Sequence, residues 1–568
     1  MKPPLVYKFS CVVILFATLS LSPASADVPM IARVYYDSPD DIELLLQHYD
    51  VHEYNNTVDK YVIISGDQSV IDSLRNEGWR VEVDQPRSSQ LLTQELLAFN
   101  SGYRTIDELY AELRAITSAF PLITELVDYG DGYTKTIGGA VTPGGDTQAV
   151  YDLLAVRITN KLIPGPKPVF FLMAGIHARE ITTPEIAMRF VDLLTSGYGI
   201  DADGTWIVDW QETWIIPSVN PEGHWIVELG DSDKYARGGF YQRKNANKDD
   251  GCTQWPPASW LQYGVDLNRN HSYNWNTGGS SGDPCDPLFR GTAPASEPEV
   301  SALQTLISSR IPDQRDAGSS AAAPDSTTGL LISLHSYSRL VIWPWGYSST
   351  PPPNDAGLEA IGSKFASYNN YTPQQAHDLY QTSGDTVDWT YGELGIPAFT
   401  FEIGDQFMPN YSEVDAVQWP TNKPALLYAA KIARTPYRTI YGPDADRIML
   451  EPTSSNMVIL TAVIDDSRNG GQTIAGAEYY IDSPPWASNA VNHVMQAKNS
   501  FLISPVEEVK AFILLDAVDN PDTLLFVRGK DSQNNWGPVS AIFANELPEP
   551  FTGLFFLCLA ALAAIRRG

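Results

Sequence analysis

The chain has 568 residues, a formal net charge of −30, 43% hydrophobic residues and 11% aromatic residues. That length exceeds one ordinary domain, and the apolar fraction suffices for several packed cores. The acidic balance argues against nucleic acid as a partner, because its phosphates would be repelled; a solvated acidic surface accounts for the charge.

Residues 1–26 read as a secretory signal. Lys2 and Lys8 precede an apolar run from Cys11 to Leu21, and Ala24-Ser25-Ala26 offers a small-residue cleavage site. The run is short for a membrane anchor, and Cys11 lies at its front, where a lipoprotein cysteine would not. Residues 27–95 form a small unit. It has a strand at Ala32–Tyr36, a helix at Pro39–Tyr49 with Ile42, Leu45 and Leu46 on one face, and a strand near His52–Asn55. A strand at Tyr61–Ser65, a helix at Ser69–Asn76 and a strand at Trp79–Val83 complete it. This β-α-β-β-α-β order is the ferredoxin-like α+β pattern. The polar stretch Gln85–Leu91 reads as a linker.

Residues 96–437 alternate strand and helix signals, which predicts an α/β domain with a mixed, largely parallel sheet flanked by helices. The apolar run Val169–Ala174, bounded by proline and glycine, reads as a buried parallel strand. Three further strands end in polar chemistry. Trp214–Val219 runs into Asn220-Pro221, Leu330–Leu334 into His335, and Ala398–Phe401 into Glu402. In open α/β sheets that edge is where ligands bind. The stretch Pro312–Gly329 is Ala/Ser/Asp-rich and reads as a mobile surface insert.

Residues 438–545 change character. Short strands at Met457–Val463, Glu478–Ile481, Val509–Leu515 and Thr523–Arg528 predict an all-β sandwich. Its ending, FVRGKDSQNNWGPVSAIF, resembles the last strands of immunoglobulin-like or fibronectin-like modules. Residues 546–568 hold Pro548-Glu549-Pro550, an apolar stretch from Phe551 to Ile565 and Arg566-Arg567. The stretch is marginal for spanning a bilayer, and the arginines would stay cytoplasmic. Together they resemble a PEP-CTERM sorting signal, with a plain C-terminal anchor as the alternative. That resemblance implies export from a Gram-negative cell, to its surface or beyond. It also implies removal of the tail by an exosortase-like sorting enzyme and transient membrane contact through the termini. Of the four cysteines, Cys11 and Cys558 lie in these terminal segments, and Cys252 and Cys285 are expected to pair across a surface loop.

The chemistry starts from GIHARE at residues 175–180, where His177 and Glu180 fall between a strand and a helix. A lone His-x-x-Glu is mostly a surface helix pair. His335, at an equivalent strand end, completes a three-ligand set with an open fourth position, the pattern by which zinc activates water. Glu402, at the end of an apolar strand, is costly without a partner or a task and suits a general base. Arg243 in QRKN supplies charge for an oxyanion. Asn268 and Arg269 in GVDLNRN suit a bound carboxylate, and Asp266 suits the far nitrogen of a histidine ligand.

These motifs, with NPEGH, LHSYSRLVIWPWGY and the segment from Tyr380 through SGDTVDWTYGELGIPAFTFE, resemble the zinc metallocarboxypeptidases of the carboxypeptidase A/B family over about residues 98–437. The resemblance implies one zinc ion on His177, Glu180 and His335, with Glu402 as general base and acid and Arg243 on the tetrahedral oxyanion. It implies that Asn268 and Arg269 grip the terminal carboxylate of a peptide or protein. Tyr380, 22 residues before Glu402, would close over it. Arg179 and Tyr337 would line the approach. Val387 maps to the base of the specificity pocket, where valine suits apolar or aromatic C-terminal side chains. Residues 27–95 match the family's pro-segment, so a zymogen opened by an activating protease near residues 85–97 is expected. Ser336–Tyr337 and Pro344–Trp345 are the places for non-proline cis bonds. The 312–329 insert and the loops around Cys252–Cys285 are expected to narrow or redirect the approach. A cell-wall peptidase of the same fold, cutting D-amino-acid-containing stems, and a catalytically vestigial surface-binding protein are the rival readings.

Overall fold

The computed structural model describes residues 30–546 except 47, 57, 89–98, 100–101, 236–238, 259, 316–320, 454–455, 500 and 519. The signal at 1–26, residues 89–91 of the linker and the sorting tail from residue 547 lie outside the described residues. No helix among the described residues is long and apolar enough to cross a membrane.

The N-terminal unit contains β1 (Met30–Tyr35), α1 (Pro39–Leu46), β2 (Asp50–Asn56), β3 (Tyr61–Gly66), α2 (Gln68–Asn76) and β4 (Arg80–Val83). Its antiparallel sheet has the order β2-β3-β1-β4, the ferredoxin-like arrangement. The start of the expected linker is different: residues 85–88 are a helical turn. Asp84 accepts the Arg87 N–H at 3.2 Å, and the buried Ser88 hydroxyl accepts the Ile31 N–H at 2.9 Å, so the turn is stitched back onto β1.

The central domain holds an eight-stranded sheet. Its strands are β5 (Thr124–Asp131), β6 (Asp152–Ile158), β7 (Val169–Met173), β8 (Glu212–Ile216), β9 (Leu330–His335), β10 (Leu340–Trp343), β11 (Thr372–Gln375) and β12 (Ala398–Glu402). The order is β11-β10-β12-β9-β7-β8-β6-β5. The middle strands β12, β9, β7 and β8 are mutually parallel, and the flanks include antiparallel pairs. Every residue of β7, β9 and β12 is buried. Phe170 and Leu172 pack into one helical layer while Val169, Phe171 and Met173 face the other. A strand sealed on both faces explains the unbroken apolar run. The 312–329 insert enters β9 at Leu330, the end away from His335. It is anchored there by Arg315 donating to the Gly392 carbonyl at 2.8 Å and by the buried Ala323 and Thr327. Its described residues lie toward the end of β9 away from His335, while residues 316–320 lie outside the described residues.

The C-terminal domain comprises β13 (Asp444–Pro452), β14 (Met457–Asp465), β15 (Ile474–Ile481), β16 (His493–Ala497), β17 (Val506–Leu514), β18 (Leu524–Asp531) and β19 (Ser540–Phe543). Its two halves are joined through β16, which pairs with both β15 and β17. This domain shares the central core, to which Tyr480, Leu524, Phe526 and Phe543 contribute. Lys364 is fully buried at the seam, paired with Asp444, 2.5 Å from Asn469 Oδ1 and 5.4 Å from the rings of Tyr368 and Tyr428. Removing one member of such a pair strands the other charge. Lys364→Met is expected to cost about 3–5 kcal/mol, and the double replacement K364M/D444L much less. Denaturant midpoints of the three proteins check this.

Candidate metal centre and active site

The parallel strands deliver their C-terminal ends to one edge, and the chemistry collects there. After β7 the chain turns at Gly175, whose φ is +62° and whose absent Cβ would sit 3.2 Å from Ser218 Cα. This glycine is required by both the backbone sign and the close approach. Thr183 Oγ1 accepts the Gly175 N–H at 3.1 Å and donates to the Glu180 carbonyl at 2.9 Å, closing the turn that holds His177 and Glu180 ahead of helix α3 (Thr182–Thr195). His335 ends β9, and Glu402 is its register partner on the neighbouring parallel strand β12.

His177 Nδ1 lies 2.6 Å from Glu180 Oε1 and 3.1 Å from His335 Nδ1, and His335 Nδ1 lies 3.3 Å from Glu180 Oε2. These donors are all buried. Zinc held tetrahedrally at about 2.0–2.1 Å sets its ligand atoms about 3.3 Å apart, so the spacing suits one such cation. The outer side of His177 agrees: its Nε2 is 3.3 Å from Asp266 Oδ1, which turns the Nδ1 lone pair inward. Burial alone would raise the Glu180 carboxyl, but the two histidines hold it well below the usual carboxylate range. Asp266 behaves likewise: burial opposes its charge, and Arg243 and His177 prevail.

Beside the donors lies a cavity of about 50 Å³ bordered by Arg243, Asn268, Arg269, Tyr380, Val387 and Glu402. Arg243 Nε donates to Asp266 Oδ2 at 2.9 Å. The Asn268 amide oxygen accepts from the Thr386 N–H and hydroxyl, both at 3.0 Å, which turns the amide nitrogen the other way. Arg269 is steadied by Nε donating to the Gly279 carbonyl at 3.1 Å. Lys364 lies on helix α4 (Asp355–Asn369) and Val387 on helix α5 (Thr386–Leu394). Asp385, on the same wall, has its oxygens taken by the Asp388 N–H and the Thr382 hydroxyl, each at 2.8 Å. Arg179 and Tyr337 sit outside this cavity around Phe407, with the Arg179 guanidinium 4.1 Å from its ring centre and the Tyr337 ring 5.0 Å away.

Sequence reasoning misses Phe407, Thr386, Gly279 and one more residue, His52. His52 belongs to β2 of the N-terminal unit, yet its Nδ1 is 2.7 Å from the Tyr337 hydroxyl and its ring is 5.1 Å from Phe407. Leu379 and Tyr380 share an apolar cluster with Ile42, Leu45 and Leu46 of α1. Cys252 and Cys285 form the expected disulfide. The Ser336–Tyr337 and Pro344–Trp345 peptides are both cis.

Known proteins share this architecture. Residues 140–418 match the family model described as zinc carboxypeptidase. Carboxypeptidase A2 of Mus musculus is 27% identical over 350 residues, covering 60% of this chain and 72% of that one. Among solved structures, carboxypeptidase A of Helicoverpa armigera superposes with a TM-score of 0.54 at 19% identity, covering 71% of this chain and 98% of the other. Thrombin activatable fibrinolysis inhibitor gives a TM-score of 0.52 at 21% identity, covering 72% and 98%. The match over residues 140–418, together with these relatives, identifies the chain as a metallocarboxypeptidase.

Proposed function

We propose that the protein is an exported exopeptidase that releases the last residue of peptides or proteins, with a preference for apolar or aromatic C-termini. The observation that carries this is the placement of three metal-type donors, a glutamate in register with one of them, and Asn268 with the buried Arg269 at the adjoining cavity. A zinc ion on His177, Glu180 and His335 would supply Lewis acidity and lower the pKa of water toward about 7. The chain's own groups do the rest. Asn268 and Arg269 bind the terminal carboxylate, and Tyr380 covers it. Val387 accepts the last side chain. Glu402 takes the proton of the attacking water and returns it to the departing amine. Arg243 donates to the oxygen that becomes negative as the carbonyl turns tetrahedral.

The N-terminal unit is proposed as an inhibitory pro-domain. Its support is the burial of His52 against Tyr337 and Phe407, and of α1 against Leu379 and Tyr380, which closes the approach. An activating protease would cut near residues 85–97. Export rests on the signal and tail readings, and the route to the surface on the sorting-signal resemblance.

Glu402→Gln is expected to lower kcat by about 10²–10⁴-fold with zinc content unchanged, since it removes only the proton carrier; kinetics with metal analysis checks it. A panel of blocked dipeptides should show kcat/KM at least about tenfold higher for C-terminal Phe or Leu than for Arg, because Val387 offers apolar surface and Asp385 is already engaged. A clear preference for Arg sinks that assignment. Hydrolysis should rise sharply once residues 27–97 are removed by limited proteolysis; equal rates before and after cleavage would refute the pro-domain role.

A further inference from the structure

Lys244 follows Arg243 in the chain and is fully buried, yet nothing in the reaction above uses it. The two neighbouring side chains part company. Arg243 meets Asp266 beside the cavity, whereas Lys244 runs the other way and ends among backbone carbonyls. Its Nζ donates to Gln262 O at 2.7 Å, Pro284 O at 2.8 Å and Asp286 O at 2.8 Å. An ammonium has three donors, and here three carbonyls receive them. The Phe289 ring centre is 5.5 Å away.

Those carbonyls all belong to one unit. Pro284 and Asp286 flank Cys285, which is bonded to Cys252, and the Cys285 carbonyl accepts the Gln262 N–H at 2.9 Å. Gln262 also grips the segment that bears Arg243. Its Oε1 accepts the Arg243 N–H at 2.7 Å, and its Nε2 donates to the Tyr241 carbonyl at 2.7 Å. Asn245 N donates to Val265 O at 3.0 Å. The backbone on both sides of Arg243 is thus tied to the disulfide-closed loop, with the Lys244 ammonium as the charged tie.

We propose that Lys244 is a positioning residue: it fixes the backbone of Arg243 to the loop closed by Cys252–Cys285, and so aims the guanidinium at the developing oxyanion. The inference rests on the role proposed for Arg243 above. A donor aimed at a transition state must be held to a fraction of an ångström, and a small misplacement weakens it there while leaving ground-state binding intact.

The test uses the full chain after activating cleavage, as wild type, Lys244→Met and the pair Cys252→Ser/Cys285→Ser. Each is assayed with a blocked dipeptide ending in Phe. Each is also titrated with a phosphonate analogue of the tetrahedral intermediate and with free phenylalanine, a product that uses only the carboxylate grip and the side-chain pocket. Lys244→Met is expected to lower kcat per folded, metal-loaded molecule by about 10–100-fold, with KM within about threefold. Phosphonate affinity should fall in step with kcat/KM, and phenylalanine affinity should stay within about twofold. The double cysteine variant should show the same selective loss. If Lys244→Met yields no folded protein, the cysteine pair, which keeps the ammonium, decides. A kcat within about twofold of wild type, or equal weakening of both ligands, overturns the inference. If the wild type itself fails to hydrolyse the peptide, the reading of Arg243 falls first, and this inference with it.

Discussion

One buried carboxylate ties the site together. Asp266 is fully buried, with Oδ1 3.3 Å from His177 Nε2 and Oδ2 accepting from Arg243 Nε at 2.9 Å. Its Oδ1 also accepts the Asn268 N–H at 2.9 Å, and its own N–H donates to Phe289 O at 2.8 Å. A metal-type ligand, Arg243 and the turn that carries Asn268 and Arg269 are all referred to one side chain. A charge so deep survives only when paired and hydrogen-bonded on every side. Arg243 and His177 meet that condition, which is why Asp266 stays ionised. The three groups thereby share one anchor, and removal of that carboxylate would be felt by all of them.

The parts of this arrangement visible in the sequence are those that arise from local pattern. Val169–Met173 is an unbroken apolar run because it is sealed on both faces, and strands of that kind set the next few residues at the ligand edge. His177, Glu180, His335 and Glu402 can be located by that rule alone. The unseen parts are contacts between segments distant in the chain. Gly279 sits in a run that reads as loop composition. Yet its φ is +61°, and a Cβ there would lie 1.9 Å from the Gln381 carbonyl, so the tight turn that steadies Arg269 admits only glycine. Phe407 lies in a loop without a recognisable pattern and matters because Arg179, Tyr337 and His52 converge on it from elsewhere. Ser88 misleads because a small polar residue looks solvated in sequence. A serine hydroxyl bonding back to β1 leaves no periodic trace.

The N-terminal unit gains from being part of the same chain. Its apolar cluster includes Leu340, Ile342, Leu379 and Tyr380 of the central domain, so its own core is completed by the surface it covers. A separate domain with that surface would bear the full entropic cost of association, whereas a tethered one works at high effective concentration. The C-terminal domain is joined differently. It shares core residues with the central domain and traps a buried Lys364–Asp444 pair, so it is built in rather than tethered.

The overall charge of −30 would oppose the approach of the carboxylate-ended peptide proposed as substrate, since like charge repels at long range. The structure places the opposing charge where screening is weakest. Arg179, Arg243 and Arg269 are each no more than 2% exposed and lie around the cavity and its approach. At physiological ionic strength the surface acids are screened beyond about 8 Å, while arginines held in a low-dielectric recess are screened far less. A carboxylate that reaches the recess would meet the guanidiniums of Arg243 and Arg269 at close range, beside the carboxyl groups of Asp385 and Glu402. The apolar last side chain proposed above would fit the same logic: burying it against Val387 would supply attraction that does not depend on the sign of the surrounding surface.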